Sequence, residues 1–276
     1  MIALTNKPIV ITGASSGIGW ASALHCARAG MLVVVAARRL DRLTTLVEQI
    51  RAEGGQAHAV ECDVSRASDC ERVASAATER FGPVYAVFAN AGYAVEGGVA
   101  ESSDEDIRQI FETNFFGSLN IIRPLLGQML SRGEGHVLFC SSCLSKVGTP
   151  LFASYSASKA AQDHYARAMR IELAGTGVRV SSVHPIGTRT EFFDRVSEVS
   201  RDAKLALRTP ALLMQPPDRV ARAVVKALKK PRGEIWTSWT TRAALGLSVI
   251  FPSITDKVLS RLVKRDGAPG EKRGGR

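Results

Sequence analysis

The sequence predicts an α/β fold, namely a doubly wound parallel sheet of about seven strands with helices on both faces. Two observations support this class. Short apolar runs alternate with helix-like segments through residue 184, and a glycine-rich turn follows the first run directly. No linker or internal repeat interrupts this span, so we expect a single domain with a C-terminal helical extension.

Each element is predicted from its apolar pattern and its flanking turn residues. The expected strands are 8–12, 31–37, 56–60, 84–89, 136–140, 178–184 and 233–239. The expected helices are 20–29, 41–52 with Asp41 as its cap, 66–80, 104–130, 153–173 and 218–229. We therefore place the cofactor-binding and catalytic domain at 1–239, a substrate lid at about 191–217, and an extension at 240–276.

Composition limits the class of protein. The chain has 276 residues, 45% of them hydrophobic and 22% charged, which is ordinary globular composition. Its five cysteines suggest free thiols in a reducing compartment, and no metal site is expected. The N-terminus lacks the pattern of a signal peptide, and no run of 18 apolar residues suggests a spanning helix. We therefore expect a cytoplasmic protein.

A glycine-rich turn joins the first strand to the first helix. Its sequence, Thr12-Gly13-Ala14-Ser15-Ser16-Gly17-Ile18-Gly19, sits where glycines let the backbone approach a ligand. The following helix presents its N-terminus to a pyrophosphate. This Rossmann-like arrangement predicts that the turn binds a dinucleotide.

The end of the second strand predicts which dinucleotide is bound. An acid at this position would accept hydrogen bonds from the adenosine ribose, whereas an arginine accommodates a 2′-phosphate. The residues here are Arg38 and Arg39, and no acid is present. We therefore expect NADP(H), with Arg38 as the main contact and NAD(H) as an alternative. The other interpretation is that both arginines only begin a solvated loop.

Further candidate residues follow the third, fourth and fifth strands, whose carboxyl ends meet at the ligand-binding edge of a parallel sheet. Asp63, beside Val64, would accept a hydrogen bond from the adenine amino group or cap the next helix. Ser142 would polarise a substrate carbonyl, although alone it is more typical of a turn cap. The strand ends also present Asn90, Ala91 and Gly92.

A tyrosine and a lysine four residues apart, Tyr155 and Lys159, lie one helical turn from each other. An ammonium at about 4 Å would favour the phenolate by roughly 4 kcal/mol at an effective dielectric of about 20, bringing the tyrosine towards the range of acid/base catalysis. Considered alone, the pair is more typical of a buried tyrosine with a solvated lysine. The neighbouring nucleotide-binding turn and Ser142 favour catalysis.

Over residues 8–195 the chain resembles the short-chain dehydrogenase/reductase family, in its single-domain branch. The motifs that carry the resemblance are Thr12-Gly13-x-x-x-Gly17-x-Gly19, Asn90-Ala91-Gly92, Asn114, Ser142 and Tyr155-x-x-x-Lys159. The resemblance implies that Tyr155 is the general acid/base, that Ser142 orients the substrate oxygen, and that Lys159 lowers the tyrosine pKa and holds the nicotinamide ribose. It implies that Asn114 keeps a backbone carbonyl and a water in line for proton relay.

The resemblance also implies cofactor contacts after the sixth strand, from Pro185, Gly187, Thr188 and Thr190. Two residues depart from the family pattern. Ile186 stands where a glycine is expected, and Ser16 stands where many NADP-dependent members have a basic residue. Because of the first departure, the resemblance does not define the backbone geometry beside the nicotinamide. Because of the second, the NADP prediction depends on Arg38 and Arg39.

The resemblance implies a small-molecule carbonyl or alcohol substrate and a homodimer or homotetramer. Apolar residues in the lid segment suggest a hydrophobic substrate: Phe192, Phe193, Leu205, Leu207, Leu212, Leu213 and Met214. The alternative from another class is a catalytically silent dinucleotide-binding regulatory or scaffold protein of the same fold. The complete set of Asn114, Ser142, Tyr155 and Lys159 favours the enzyme.

All of the net charge of +10 lies near the C-terminus. Residues 219–276 contain 14 basic and 4 acidic residues, whereas residues 1–218 contain 22 of each. Within 240–265, one predicted helical face is apolar (Ile254, Val258, Leu259, Leu262 and Val263) and the other is basic. This pattern fits peripheral contact with an anionic membrane, or packing on the same or a neighbouring subunit. No aromatic-interleaved basic motif accompanies it, so no nucleic acid is expected.

Overall fold

The sheet is seen in a computed structural model that describes residues 1–192, 196 and 214–265, with side chains as far as Arg261. Its strands β1 to β7 are Pro8–Thr12, Leu32–Ala37, Gln56–Glu61, Ala86–Ala89, Gly135–Cys140, Val178–His184 and Glu234–Trp236. All of these strands pair in parallel, in the order β3-β2-β1-β4-β5-β6-β7. The predicted single-domain, doubly wound parallel sheet is confirmed.

Helices cover both faces of the sheet. Those described, α1 to α9, are Gly17–Arg28, Leu40–Ala52, Ala67–Phe81, Asp104–Phe111, Gly117–Arg132, Ala153–Glu172, Pro217–Lys229, Trp239–Ile250 and Pro252–Arg265. Successive residues of a strand point to opposite faces. Ile9 and Ile11 therefore pack with α1, α2 and α7, whereas Val10 packs with α3, α5 and α6.

The strand order places a cleft at the centre of the sheet. β1 lies between β2 and β4, so the chain winds in one direction from β1 to β3 and in the other from β4 onward. At such a switch point the loops that leave neighbouring strands diverge, which opens a crevice beyond the carboxyl ends of the strands. The loops after β1 and β4 border this crevice.

The structure differs from the predicted elements at three places. The expected helix 104–130 is interrupted by a π-helical turn, Glu112–Phe116, between α4 and α5. The last strand ends at Trp236, because Ser238 caps α8 by accepting a hydrogen bond from the Thr241 amide. Asp41 lies in the first turn of α2 and does not cap it.

The predicted lid lies mostly outside the described residues. Glu191, Phe192 and the residues from Met214 onward are described, whereas Phe193, Leu205, Leu207, Leu212 and Leu213 are not. In the extension, the side chains of Leu262 and Val263 also lie outside the described part. The backbone of the extension forms α8 and α9.

Candidate active site

A cavity of about 1020 Å³ lies at the carboxyl ends of the strands. Most of the residues predicted to bind the cofactor or the substrate oxygen line it: Gly13, Ser15, Ser16, Gly17, Ile18, Arg38, Arg39, Asp63, Val64, Asn90, Ala91, Gly92, Ser142, Tyr155, Lys159, Pro185, Gly187, Thr188 and Thr190. Two predicted residues, Gly19 and Asn114, lie behind the wall of the cavity. The fold thus brings the nucleotide-binding turn and the Tyr-Lys pair to one site.

Two positions of the glycine-rich turn leave no room for a side chain. Gly13 has φ +63°, and a Cβ there would lie 2.8 Å from the Ala91 Cα. A Cβ on Gly19 would lie 2.4 Å from the Gly13 carbonyl oxygen, which explains why Gly19 supports the turn from behind. The side chain of Ser16 makes no capping bond to α1. The α1 amides thus face a cradle whose charge and shape suit a phosphate group.

Arg38 and Arg39 behave differently at the end of β2. The Arg39 guanidinium donates to the Ser15 hydroxyl at 3.1 Å and to a Glu191 carboxylate oxygen at 2.9 Å. It therefore ties the glycine-rich turn to the start of the lid segment. Arg38 is exposed, borders the cavity, and takes part in none of the hydrogen bonds or ion pairs of the described residues.

Asp63 stabilises its own turn. One carboxylate oxygen accepts hydrogen bonds from the Ser65 amide at 3.0 Å and the Ser65 hydroxyl at 2.7 Å. The next helix begins at Ala67 without a side-chain cap, so Asp63 does not cap it. Asp63 lines the cavity, as the adenine interpretation requires.

Tyr155 and Lys159 are both buried beside Ser142. Burial raises the pKa of Tyr155, and a hydrogen bond with Ser142 offsets only part of this effect. Burial also lowers the pKa of Lys159 to about 8. The Lys159 ammonium lies 5.8 Å from the centre of the Tyr155 ring. The direction of the shift in the Tyr155 pKa is thus opposite to the lowering expected from Lys159, because burial is its largest cause.

A glutamine that the sequence analysis missed connects Lys159 to Asn114. The Lys159 ammonium donates to the Cys140 carbonyl at 2.8 Å and to the Gln162 side-chain oxygen at 2.9 Å. The Gln162 amide donates in turn to the Asn114 carbonyl at 2.6 Å. The resemblance implies that this carbonyl holds a water for proton relay. The same carbonyl also accepts a hydrogen bond from the Ser118 hydroxyl. The sequence signal for this contact was a polar residue, Gln162, three positions after Lys159 and therefore on the same face of the helix.

The π-helical turn places the side chain of Asn114 behind the cavity wall. Its amide oxygen accepts from the Tyr93 backbone N–H at 3.0 Å, and its amide nitrogen donates to the Tyr93 carbonyl at 3.0 Å. The same nitrogen donates to the Ser158 hydroxyl at 3.0 Å. Ser158 donates to the Tyr155 carbonyl. Asn114 therefore fixes the loop after β4 against α6.

A buried polar network lies behind Ser142. His184 is buried and stacks on the Trp236 ring with centroids 4.4 Å apart, and its Nδ1 lies 3.1 Å from the Ser142 carbonyl oxygen. Burial alone would raise the pKa of Asp163, but its bonds to His184 and Lys146 dominate and lower it. Asp163, His184 and Glu234 have the composition of a metal site. The Lys146 ammonium already bridges the two carboxylates, at 2.5 and 3.0 Å.

Two cysteines flank Ser142 in a Cys-x-x-Cys spacing. Burial raises the pKa of Cys140 to about 11 and also raises that of Cys143. A redox-active thiol needs a lowered pKa. Cys140 ends strand β5 and Cys143 begins the turn that follows, so a structural role fits both thiols better than a redox role.

The segment after β6 lies along the cavity with ordinary backbone geometry. Among the described residues other than glycine, only Asn6 and Leu151 have positive φ, so Ile186 needs no left-handed conformation. The Pro185 carbonyl accepts from the Cys143 amide at 3.0 Å. A Cβ on Gly17 would lie 2.8 Å from the Thr190 methyl group, so the glycine-rich turn and Thr190 are in close contact.

The other wall of the cavity is apolar and aromatic. The rings of Phe192 and Phe152 lie 5.7 and 6.4 Å from the Tyr155 ring. Val196 and Ala94 are buried in the same cluster, and Leu144 packs against it. The Tyr155 ring is thus packed among apolar side chains on this side of the cavity.

The chain is similar to known oxidoreductases over most of its length. Residues 7–200 match the family model described as short chain dehydrogenase. A ketoacyl reductase, HetN, of Nostoc is 32% identical over 265 residues, which cover 94% of this chain and 90% of the relative. An uncharacterized oxidoreductase of Listeria monocytogenes is 33% identical over 233 residues, which cover 83% of this chain and 92% of the relative.

Solved structures show the same fold. A short chain dehydrogenase/reductase from Burkholderia phymatum in complex with NAD superposes with a TM-score of 0.84 at 28% identity, covering 92% of this chain and 97% of the other. An alcohol dehydrogenase from Thermococcus sibiricus, complexed with 5-hydroxy-NADP, gives a TM-score of 0.74 at 30% identity, covering 83% and 95%. With its nucleotide-binding fold, this oxidoreductase belongs to the short-chain dehydrogenase/reductase family.

Proposed function

We propose that the protein is an NADP(H)-dependent oxidoreductase that interconverts a carbonyl and a secondary alcohol, with Tyr155 as the acid/base. One observation carries the proposal: Ser142, Tyr155 and Lys159 border the same cavity as the glycine-rich turn. A protein that only binds a dinucleotide has no need of an acid/base pair there.

The residues fit a bound nicotinamide cofactor, since the turn at Gly13 and Gly17 lines the cavity and packs too closely on Ala91 and Thr190 to carry side chains there. The cofactor, when bound, supplies or accepts the hydride. Tyr155 would protonate the carbonyl oxygen when the alcohol forms and would take the proton back in the other direction. Burial raises its pKa, and the hydrogen bond with Ser142 offsets part of that rise. Ser142 donates to the same oxygen. The Lys159 ammonium borders the cavity and would hold the ribose hydroxyls that the family resemblance assigns to it.

The preference for NADP(H) is supported by Arg38. Its guanidinium borders the cavity and is not committed to any bond among the described residues, whereas Arg39 is held by Ser15 and Glu191. A 2′-phosphate would bring a charge that Arg38 can neutralise. The first acidic residue after β2 is Asp41, and it does not line the cavity.

The substrate is proposed to be lipophilic. Phe152, Phe192 and Val196 surround the Tyr155 ring, and such a wall excludes water from the reacting carbonyl. Apolar pockets favour ligands by burial of apolar area, at roughly 25 cal/mol per Å². Aliphatic, steroid-like and acyl ketones are the classes to compare.

The test combines turnover with cofactor binding. Purified protein is mixed with NADPH and the three ketone classes, and oxidation of NADPH is followed by absorbance. Tyr155→Phe should lower turnover by about 100-fold or more and leave NADPH binding unchanged. Tyr165→Phe, on the exposed side of the same helix, is the matched control and should stay active.

Two outcomes would contradict the proposal. An active Tyr155→Phe variant would remove the assigned acid/base. Tight NADPH binding without oxidation by any ketone would favour the catalytically silent regulatory or scaffold protein instead.

We also propose a homodimer or homotetramer. Phe116, Tyr165 and Ile171 are exposed large apolar residues of the π-helical turn and α6. The Phe115 ring contacts Phe116 and Tyr165 edge to face, with centroids 5.2 and 5.8 Å away. Such a connected aromatic surface supports self-association. Light scattering should give a multiple of the 29.6 kDa chain mass, and Phe116→Asp should reduce it.

A cytoplasmic location is supported by the cysteines. All five are free thiols, although Cys62 and Cys70 lie in one buried cluster. Unpaired cysteines are typical of a reducing compartment. Fractionation of cells that express the tagged protein would test this location.

A further inference from the structure

The extension helices α8 and α9 expose an unusual amount of apolar surface. None of the residues of α8 is buried, whereas α1 to α7 each bury at least one. Trp239 is 79% exposed and Ile250 is 66% exposed. We define the extension surface by its exposed large apolar residues: Trp239, Leu247, Val249, Ile250, Phe251, Ile254 and Val258. Exposed apolar residues grouped in this way mark an interaction site.

The apolar part of the surface is concentrated at a bend. α8 and α9 meet at 112°, and Leu247, Val249, Ile250, Phe251 and Ile254 lie within a few residues of that junction. Within the described residues, no single helix is long and apolar enough to cross a membrane. Only when α8 and α9 are taken together, as a bent pair, are their length and composition those of a membrane-spanning segment.

Basic residues flank the apolar bend on both sides. Arg242 lies in α8, and Lys257 and Arg261 lie in α9; all three are exposed. The only acidic residue of 239–265 is Asp256. Residues 219–276 account for the whole net charge of +10, so the sequence on both sides of 239–265 adds to the excess of basic residues. The surface is thus apolar at its centre and positive at its rim.

We propose that the extension surface binds the interface of an anionic membrane, with the bend inserted among the acyl chains and the flanking bases at the headgroups. Charge complementarity selects this occupant, because basic residues at the rim attract acidic phospholipids and repel a second positively charged copy. Trp239 has the amphipathic ring that favours the headgroup level. The chain therefore binds a lipid surface peripherally.

The experiment uses the full chain with vesicles of phosphatidylcholine, with or without about 30% phosphatidylserine. Co-sedimentation should be at least about tenfold stronger with phosphatidylserine and should weaken at about 0.5 M salt. Trp239 emission should shift to shorter wavelength on binding, and Trp239→Phe should abolish that shift while Trp20 and Trp236 remain.

Two variants separate the apolar and the electrostatic contributions. Ile250→Asp with Phe251→Asp should reduce binding at least about tenfold, and so should Lys257→Glu with Arg261→Glu. The matched controls are Val99→Asp, at an exposed apolar position outside the extension, and Arg80→Glu with Arg123→Glu, which reverses two exposed charges elsewhere. Both controls should bind as the unchanged protein does.

Three results would overturn the proposal. Equal co-sedimentation of the extension variants and the controls would remove the surface from lipid binding. A fall in oligomeric mass of the Ile250→Asp, Phe251→Asp variant without vesicles would assign the surface to a second copy. Resistance to alkaline carbonate extraction would indicate a span. Lipid binding is measured without turnover, so these results are independent of the catalytic proposal.

Discussion

The Nδ1 atom of His184 lies 3.1 Å from the carbonyl oxygen of Ser142. Because a carbonyl oxygen only accepts hydrogen bonds, Nδ1 must carry the proton. On the other side of the ring, Nε2 lies 3.0 Å from the Ser182 hydroxyl and 3.4 Å from Asp163. The end of β6 thus fixes the backbone of the residue that is proposed to orient the substrate.

We predict that His184→Phe lowers kcat about tenfold and leaves cofactor affinity unchanged. The variant loses the donor to the Ser142 carbonyl, so the serine hydroxyl loses its fixed direction towards the substrate oxygen. His184→Asn keeps an N–H close to the position of Nδ1 and should recover most of the activity. Steady-state kinetics with thermal unfolding as a folding check would test this. Equal kcat for both variants would contradict a positioning role.

Asp163 predicts a pH dependence of stability. Its carboxyl has a folded-state pKa below the unfolded value of about 3.9, so its contribution is present above about pH 4 and is lost as pH falls through the folded value. Asp163→Asn should cost about 3 kcal/mol at pH 7, because Lys146 loses a buried partner. The difference from the unchanged protein should shrink below about pH 4.

Urea unfolding at about pH 7, 4 and 3 would measure this difference. Glu48→Gln on α2 is the matched control, an exposed carboxylate that should change the free energy of unfolding by less than about 0.5 kcal/mol. A pH-independent effect of Asp163→Asn would show that the carboxylate charge is not responsible.

Gln162 offers a test of how Lys159 is held. Gln162→Leu removes the bond to the ammonium and the bond to the Asn114 carbonyl together, while keeping a side chain of similar size. We expect a fall in kcat of about tenfold and a lower pKa for Lys159, since a buried ammonium loses one of its acceptors. Gln162→Glu should instead raise that pKa. The pH profile of kcat is the measurement; identical profiles for both variants would contradict the prediction.

Lys159 should make cofactor binding sensitive to alkaline pH. Burial lowers its pKa to about 8, so the ammonium loses its charge within the accessible range. NADPH affinity should therefore fall by up to about tenfold per pH unit above pH 8. The Lys159→Met variant should bind NADPH weakly, and its affinity should change little with pH. Fluorescence titrations between about pH 6.5 and 9.5 would show it, and a constant affinity across this range would count against the prediction.

Arg38 should determine the choice between cofactors. Arg38→Ala should weaken NADPH binding about 10- to 100-fold, since a charge-assisted bond to the 2′-phosphate is lost, and should leave NADH binding unchanged. Arg42→Ala, one turn into α2 and outside the cavity lining, is the matched control. Calorimetric titration would measure both cofactors. Equal or tighter NADH binding by the unchanged protein would reject the assignment.

The strands and the motif residues could be predicted because their signals are local. Runs such as Ile9–Ile11 are buried on both sides of a parallel sheet, and the glycine spacing follows from the shape of one turn. Gln162 was missed because its role depends on Asn114, 48 positions away. The upward direction of the Tyr155 pKa could not be predicted, because spacing along a helix does not report burial or the 5.8 Å separation from the Lys159 ammonium. Such contacts are fixed by packing between distant segments.

Glu234 has a consequence for communication across the molecule. One of its oxygens binds Lys146, in the turn that follows Ser142, and the other lies 3.7 Å from Arg242 in the extension. A ligand that binds Arg242 would compete with Glu234, which also holds the turn after Ser142. Glu234 thus joins the turn after Ser142 to the extension, and thermodynamic linkage requires that any effect of a ligand at one of them on affinity at the other be reciprocal.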